Sequence, residues 1–210
     1  LCTLLPWEAI ENLHSSSNNI CIKSVVLWNK LFKKTLFTNL RFPKNKEFED
    51  EFTSYKLFMN SQKIISSNQK LYAYVQIGNH IRENIYNEHR LDILDAYENH
   101  MKFFKEVHSP YMLEKAGKRY LRMLYIIRKE ISPFDIILDN KKDIIDNIDR
   151  RFVSIYKYIL MLKSKHPYLS INNNEYLNIY NEYKTYIKII NTFNSNNLKY
   201  KHNKRFMYMK

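Results

Sequence analysis

The sequence contains very little glycine: Gly78 and Gly117 are the only two in 210 residues. A glycine-rich phosphate loop needs several residues free to adopt positive φ, so this scarcity argues against that class of nucleotide site. Cysteine is equally scarce, and Cys2 and Cys21 have neither CxxC spacing nor the pattern of a disulfide framework, which favours a reducing compartment. No apolar run approaches the roughly 18 residues of a membrane span. We therefore expect a cytoplasmic protein that stays outside the bilayer core.

Positive charge is in excess, with 34 basic against 21 acidic residues and a formal net charge of +13. Such a charge attracts partners that carry phosphate, which include nucleic acid, anionic lipid headgroups and phosphorylated small molecules. Nucleic acid is not favoured, because no zinc-finger spacing or RRM-type aromatic motif accompanies the charge. Residues 199–210 interleave basic and aromatic side chains. This pattern is typical both of peripheral contact with the inner face of the cell membrane and of a disordered terminus.

The front third of the chain shows mixed hydrophobic patterns. Residues 5–13 and 48–59 have apolar side chains at helical spacing. The β-branched pair at residues 25–26 indicates a short buried strand, and the alternation over residues 71–77 has the period of two that is typical of a strand. The sequence therefore predicts a mixed α/β part over residues 1–86.

From residue 87 onwards the apolar side chains keep a helical period. This period predicts four helices, near residues 91–104, 113–127, 134–165 and 174–193. We therefore expect a helical C-terminal region over residues 87–197 and a basic tail over residues 198–210. No internal repeat is present.

Three consecutive acids, Glu49, Asp50 and Glu51, begin the helix predicted over residues 48–59. Acids in a first turn offset the positive end of the helix dipole, and each contributes about 0.3–1 kcal/mol. A carboxylate in the same place is also suited to act as a general base, because the helix N-terminus helps to keep it ionised. The local pattern leaves both interpretations open.

Other chemically distinctive residues are interpreted first as structural. Trp7 and Trp28 are expected to be core anchors rather than platforms for sugar rings, although Trp28 keeps a functional interpretation through its neighbours. Cys21 is expected to be a small core residue and not a nucleophile. The histidines lack i, i+4 pairs, so no zinc site is predicted.

Four short motifs follow one another in the front part: "WNKL" at residues 28–31, "RFP" at 41–43, "EDEFT" at 49–53 and "YAYVQIGNHI" at 72–81. Their order resembles that of the acceptor-side half of glycosyltransferase family 2 enzymes of the bacterial surface-polysaccharide kind. Those enzymes typically carry W/C-N-K-L-Y, R-F-P-x-G, E-D-x-x-T-x-K and Y-x-Y-R-x-R-x-x-S-I. The resemblance holds in register over residues 24–106 and more loosely over the helical remainder.

The resemblance implies an α/β remnant of a GT-A domain, followed by a mostly α-helical C-terminal region. It further implies inverting transfer of a sugar from a nucleotide-sugar donor to a cell-surface glycan, free or lipid-linked. Asp50 would then be the catalytic base, and Glu49 would position the acceptor or the base. The substrate-binding residues implied in the same way are Trp28, Asn29, Lys30, Tyr74, Gln76, Asn79 and His80.

Three positions depart from the family pattern. Val75 and Ile77 stand where basic residues are usual, so any phosphate contact that those residues make is missing here. His80 stands where Ser is usual, and either a phosphate contact or a surface histidine fits that position. Lys30 is suited to face a phosphate, although a solvated lysine is the default expectation.

The donor half of the family ends in an Asp-x-Asp motif that holds a divalent metal, Mg or Mn, and no such motif occurs here. The pairs Asp92/Asp95 and Asp143/Asp146 are predicted to occupy helix surfaces. We therefore expect the C-terminal portion of a longer enzyme, with no cofactor of its own and inactive without the donor-binding half. The alternative is a non-enzymatic basic helical module that binds anionic lipid or nucleic acid.

Overall fold

The computed structural model describes residues 1–15, 17–75, 88–131, 140–169 and 173–207. The α-helices in these ranges are α1 Pro6–Leu13, α2 Asn18–Val25, α3 Glu49–Met59, α4 Asp92–Glu106, α5 Pro110–Ile131, α6 Lys141–Lys165 and α7 Asn173–Met207. Short 3-10 helices span Lys34–Phe37 and Glu88–Leu91. The strands are β1 Cys2–Leu4 and β2 Ile64–Ser66. A small α/β part followed by a mostly helical region confirms the expected fold class.

The sheet of the described residues is a single antiparallel pair. Cys2 lies opposite Ser66, and Leu4 lies opposite Ile64. A two-stranded pair is at best marginally stable by itself in water. Leu4 and Ile64 are partly buried and pack against the hydrophobic core, so the helices hold this pair in place.

The α1 helix forms where the sequence predicts one. Pro6 occupies its first position, where the missing N–H costs nothing. The Glu8 carboxylate accepts a hydrogen bond from the Leu5 backbone N–H at 2.7 Å, which fixes the helix start. Ile10 and Leu13 are buried against the rest of the molecule. The helix thus joins the N-terminal strand to the core.

The strand predicted at residues 25–26 is wrong. Residue 25 ends α2, and residue 26 only takes an extended conformation after it. The Ser54 hydroxyl donates a hydrogen bond to the carbonyl of residue 25 at 2.6 Å. The Lys30 ammonium donates another to the Lys23 carbonyl at 2.7 Å. Because side chains satisfy the last carbonyls of the helix, this β-branched pair needs no strand partner.

The strand predicted over residues 71–77 is also not found in its described part. Residues 71–75 have no regular secondary structure, and their side chains are exposed. An alternating pattern forms a strand when one face is covered, and here neither face is buried. Residues 76–77 lie outside the described residues.

The helical region follows the predicted order. The α4 helix ends before Pro110, as expected, and Pro110 itself begins α5. The start predicted for α6, at residue 134, lies outside the described residues. Within them, the helix begins at Lys141. The end predicted for α7 at residue 193 is wrong, because the helix continues to Met207. The boundary predicted at residue 198 therefore falls inside a continuous helix.

The core lies mainly between α4, α5 and α6. Tyr97, Phe104, Tyr120 and Phe152 are among its largest fully buried side chains. A Cβ on Gly117 of α5 would lie 2.6 Å from Cδ1 of Ile159 on α6. Glycine therefore allows these two helices to approach closely at this point.

The boundary expected between residues 86 and 87 lies outside the described residues and stays a prediction. Within the described ranges, no helix combines the length and hydropathy needed to cross a membrane.

Candidate functional site

The three acids at the start of α3 have three different environments. Glu49 is exposed, Asp50 is half-buried, and Glu51 is buried. A helix turns by about 100° per residue, so consecutive side chains point in different directions. Interaction with the helix dipole therefore does not fully explain Asp50 and Glu51, because both carboxylates are at least partly buried and contact neighbouring groups.

The backbone before these acids is strained. Phe48, immediately before α3, has φ 60° and ψ 37°, in the left-handed region. A bulky residue pays about 1–3 kcal/mol for such a conformation. Phe48 is partly buried against the core, and the Arg90 guanidinium lies 5.4 Å from the centre of its ring. These contacts hold the strained residue and fix the direction in which α3 begins.

A second left-handed residue, Asn45, has φ 54°. It follows "RFPK", at the position where the R-F-P-x-G motif has its glycine. Asn is one of the few residues with a side chain that adopts this conformation readily. The Asn side chain at position 45 is thus compatible with this left-handed conformation.

Asp92 anchors the loop that leads into α3. Its carboxylate accepts hydrogen bonds from the Lys46 ammonium at 2.7 Å and from the Glu47 backbone N–H at 3.0 Å. Burial raises the pKa of Asp92, but its hydrogen bonds to Lys46, Glu47 and His89 outweigh burial and lower it overall. The predicted surface position of Asp92 is wrong, because the residue is only 7% exposed.

Asp50 is a half-buried carboxylate in the first turn of α3. Its Oδ1 accepts a hydrogen bond from the Glu51 backbone N–H at 2.8 Å. Burial raises the pKa of Asp50, and the charge of Glu49 adds to this, whereas the Glu51 N–H and the Lys30 ammonium oppose it. The net pKa is raised, which makes this carboxylate a stronger proton acceptor than an ordinary aspartate.

Lys30 of the "WNKL" motif is held at the end of α2, where its charge interacts with that of Asp50. Its ammonium donates hydrogen bonds to the carbonyls of Lys23 and Val26 and to Asn29 Oδ1. Burial lowers the pKa of Lys30 to about 8, against the opposing effect of the Asp50 charge. The default expectation of a solvated lysine is therefore wrong. Lys30 closes the end of α2 and places a positive charge near Asp50.

Asn29 supports the same turn. Its side-chain Nδ2 donates a hydrogen bond to the Lys23 carbonyl at 3.0 Å. The amide is exposed, but both of its ends are already engaged, one by Lys23 and the other by Lys30. Asn29 therefore shapes the backbone on the C-terminal side of Trp28.

The indole of Trp28 stacks on two tyrosine rings. Its ring centroid lies 4.8 Å from that of Tyr72, with 28° between the planes, and 5.0 Å from that of Tyr74, with 15° between the planes. The expectation that the tryptophans anchor the core is wrong, because Trp7 is 38% and Trp28 44% exposed. Tyr74 was expected at the site, whereas Tyr72 becomes part of it only through this stacking.

The remaining predicted substrate-binding residues, Gln76, Asn79 and His80, lie outside the described residues. Within the described residues, the Asp50 charge acts on Lys30, Lys30 donates a hydrogen bond to Asn29, and Tyr74 stacks on Trp28. Glu49 is the exposed neighbour of Asp50 at the start of α3.

A buried charged cluster lies beneath the site. The Arg119 guanidinium pairs with the Glu51 carboxylate at 2.9 Å, and it also donates hydrogen bonds to the Tyr97 hydroxyl, the Leu13 carbonyl and the Cys21 sulfur. Burial raises the pKa of Glu51 even though Arg119 opposes this. The cluster links α1, α2, α3, α4 and α5. Sequence reasoning missed it, because no local spacing signals a pair so distant along the chain.

Cys21 is buried, which confirms the interpretation of this residue as part of the core. Burial raises the pKa of its thiol, and the Arg119 charge opposes that effect. A thiol with a raised pKa is a poor nucleophile at neutral pH. Its role here is packing.

Two histidines lie in the core beside this cluster. His100 Nε2 donates a hydrogen bond to the Glu51 carbonyl at 2.6 Å, and burial lowers the pKa of His100 to about 3. The His14 and His100 rings meet edge to face, with their centroids 5.4 Å apart. Burial also lowers the pKa of His14 well below its ordinary value. Both rings are therefore neutral at physiological pH.

Within the described ranges, no group of three or more His, Cys, Asp or Glu side chains is placed to hold a metal ion.

The chain is similar to one curated enzyme. It is 38% identical over 64 residues to the glycosyltransferase GlyA of Streptococcus pneumoniae serotype 4. The matched stretch makes up 30% of this chain and 9% of that enzyme, so the chain corresponds to a small part of its relative. No family model and no solved structure matches the chain.

Proposed function

We propose that this chain forms the acceptor-side portion of an inverting glycosyltransferase of family 2, with GT-A architecture and with Asp50 as the general base. The observation that carries the proposal is the half-buried carboxylate of Asp50 at the start of α3, whose charge interacts with that of the Lys30 ammonium. The two motifs that carry these residues are separate in sequence. The partial similarity to a curated glycosyltransferase supports the same class of reaction.

In the proposed reaction, an acceptor hydroxyl oxygen attacks the anomeric carbon of the donor sugar. The bond from that carbon to the diphosphate oxygen breaks, and the diphosphate leaves with the electron pair. The hydroxyl proton passes to the Asp50 carboxylate. Attack from the face opposite the leaving group inverts the configuration. Asp50 suits this role because its raised pKa increases its basicity.

Lys30 tunes the base. Near neutral pH it is mostly protonated, since its pKa of about 8 lies above 7. Its positive charge favours the ionised form of Asp50, and only an ionised carboxylate can accept a proton. Glu49 acts in the opposite direction, because its negative charge raises the pKa of Asp50. We assign Glu49 to positioning the acceptor, since its side chain is exposed next to the base.

Donor binding is proposed to lie outside the described residues, together with the divalent metal. The nucleotide-sugar donor and the surface-glycan acceptor remain part of the proposal, as does a cytoplasmic location with peripheral membrane contact through the basic end of α7.

The test uses the protein expressed from its own locus with a C-terminal tag, so that every segment encoded with it is present. Release of nucleoside diphosphate from UDP-glucose, UDP-galactose and UDP-N-acetylglucosamine is measured with extracted surface glycan as acceptor. Asp50→Asn is expected to lower turnover by about 10²–10⁴-fold and to leave donor binding unchanged, because only the proton acceptor is removed.

Asp143→Asn is the matched control, since Asp143 is also an acid in the first turn of a helix, α6, but is exposed where Asp50 is half-buried. It loses the same dipole interaction, so its turnover should stay at the unmodified level. Turnover of the Asp50→Asn protein equal to that of the control would remove Asp50 from the base role.

A further inference from the structure

Trp28, Tyr72 and Tyr74 form an exposed aromatic surface, named here the aromatic stack. The three side chains are 44%, 53% and 63% exposed, respectively. Aromatic side chains usually bury most of their area, so a group of three that leaves about half exposed is unusual. The stack therefore has surface available for a ligand.

The position of Trp28 within the stack is fixed by its neighbours in the chain. On its C-terminal side, Asn29 and Lys30 both bond to the Lys23 carbonyl at the end of α2. On its N-terminal side, Val26 donates its backbone N–H to the Ile22 carbonyl at 3.1 Å. The backbone turn that carries Trp28 is therefore held by hydrogen bonds on both sides of this residue. The tyrosines come from the segment after β2 and meet it through their rings.

The chemistry of the aromatic stack favours a sugar ring. Aromatic faces carry partial negative charge. The axial C–H groups of a pyranose carry partial positive charge, and in β-configured glucose and galactose they form flat apolar patches on the ring. The Trp28 ring plane lies at 15° to that of Tyr74 and at 28° to that of Tyr72, so the rings stack face to face and cover part of one another. The ring area that a neighbouring ring does not cover is the part that can contact a flat patch of this kind.

The stack is connected to the proposed base through the chain. Lys30 follows Trp28 by two residues, and the Asp50 charge opposes the effect of burial on the Lys30 pKa. We propose that the aromatic stack is a carbohydrate subsite that binds a β-configured gluco- or galactopyranose ring of the acceptor glycan by stacking. The assignment to the acceptor rests on the proposed function, whereas sugar binding itself does not.

The sequence provides its own reporter, because Trp7 and Trp28 are its two tryptophans. In a Trp7→Phe protein, Trp28 is the sole indole, and in a Trp28→Phe protein it is Trp7. Each protein is titrated with methyl β-D-glucopyranoside, methyl β-D-galactopyranoside and cellotetraose, up to about 50 mM, which covers the millimolar Kd expected of a few stacked contacts. A saturable change in fluorescence is expected for the Trp7→Phe protein and none for the Trp28→Phe protein.

Variants of the tyrosines test the stack in the same Trp7→Phe background. Tyr72→Ala and Tyr74→Ala are each expected to weaken sugar binding about five- to tenfold, because each removes one ring of the stack. Tyr168→Ala is the matched control, since Tyr168 is an exposed tyrosine on the connection between α6 and α7. Its titration should equal that of the parent protein. Circular dichroism of each variant shows whether the fold is kept.

Two results would overturn the proposal. One is the absence of a saturable response to any of the three sugars in the folded Trp7→Phe protein. The other is a saturable response to uridine 5′-monophosphate with none to sugar, which would assign the stack to a nucleobase.

The Asp50→Asn change separates this proposal from the proposed function. Sugar titration should persist in that variant, because stacking needs no base. If Asp50→Asn leaves turnover intact while the titration persists, the base role fails and the subsite stands. If transfer depends on Asp50 but Trp28 gives no response, the subsite alone fails.

Discussion

Removal of the Arg119 charge is the sharpest test of how the site is supported. Arg119→Met keeps much of the side-chain volume of Arg119 but leaves the buried Glu51 carboxylate without the guanidinium that lies 2.9 Å away. Met also removes the hydrogen bonds that Arg119 donates to the Leu13 carbonyl and the Tyr97 hydroxyl. The change therefore removes contacts that link α5 with α1, α2, α3 and α4.

The expected loss is large because the remaining charge is buried. Breaking one partner out of a buried ion pair costs about 3–5 kcal/mol. Burial already raises the pKa of Glu51, and loss of Arg119 removes the main charge that opposes this. A carboxyl whose folded-state pKa lies above its unfolded value loses stability as the pH rises through the folded pKa. The cost should therefore be larger at pH 7.5 than at pH 5.

The free energy of unfolding is measured by urea titration at both pH values, with circular dichroism as the signal. Arg122→Met on the same helix is the control, because Arg122 forms a more exposed pair with Glu175 at 2.7 Å and should cost less than about 1 kcal/mol. The double variant Glu51→Gln/Arg119→Met should recover part of the loss, since no unpaired charge remains. A loss for Arg119→Met as small as that of the control would refute the reasoning.

Two further predictions concern stability. Because the buried neutral ring of His14 has a lowered pKa, the free energy of unfolding should decrease as the pH falls from about 6.5. His14→Phe should reduce this dependence of stability on pH, measured by urea titrations at pH 7.5, 6.5 and 5.5. An unchanged pH dependence would contradict the buried neutral state of His14. Asp92→Asn should lower the free energy of unfolding by about 1–3 kcal/mol, because it weakens the contacts of the carboxylate with Lys46 and Glu47. Asp95→Asn removes a more exposed ion pair with Lys46 and should lower it by less than about 1 kcal/mol. Equal costs for the two changes in the same assay would argue against the anchoring role of Asp92.

The hydrophobic period predicted the helices well. It indicated α1, α3, α4 and α5 at nearly their observed bounds, because each buries one face against a shared core. It failed at residues 25–26 and 71–75, where patterns typical of strands occur without a partner strand in the described residues, and at residues 71–75 also without a covering layer. A short β-branched pair does not define its own partner, so the surrounding hydrogen bonds decide its conformation.

The candidate site was predicted in part. The motif order identified Asp50, Lys30 and Trp28, and in the structure the charges of Asp50 and Lys30 interact while Trp28 stacks on Tyr72 and Tyr74. It gave no indication of the Glu51–Arg119 pair, whose members are far apart in the chain. It also gave no indication that Trp28 would be exposed, because solvent exposure depends on what packs around a side chain.

By itself the sequence determined where α1, α3, α4 and α5 form and which residues carry acid, base and aromatic groups, since these follow from local spacing and from chemical identity. The tertiary structure alone decided what the three adjacent acids do. Glu49 is left in water, Asp50 lies half-buried near Lys30, and Glu51 is buried against Arg119. The physical reason is that burial and the nearest opposite charge set the behaviour of a carboxylate, and both are supplied by residues distant in the chain.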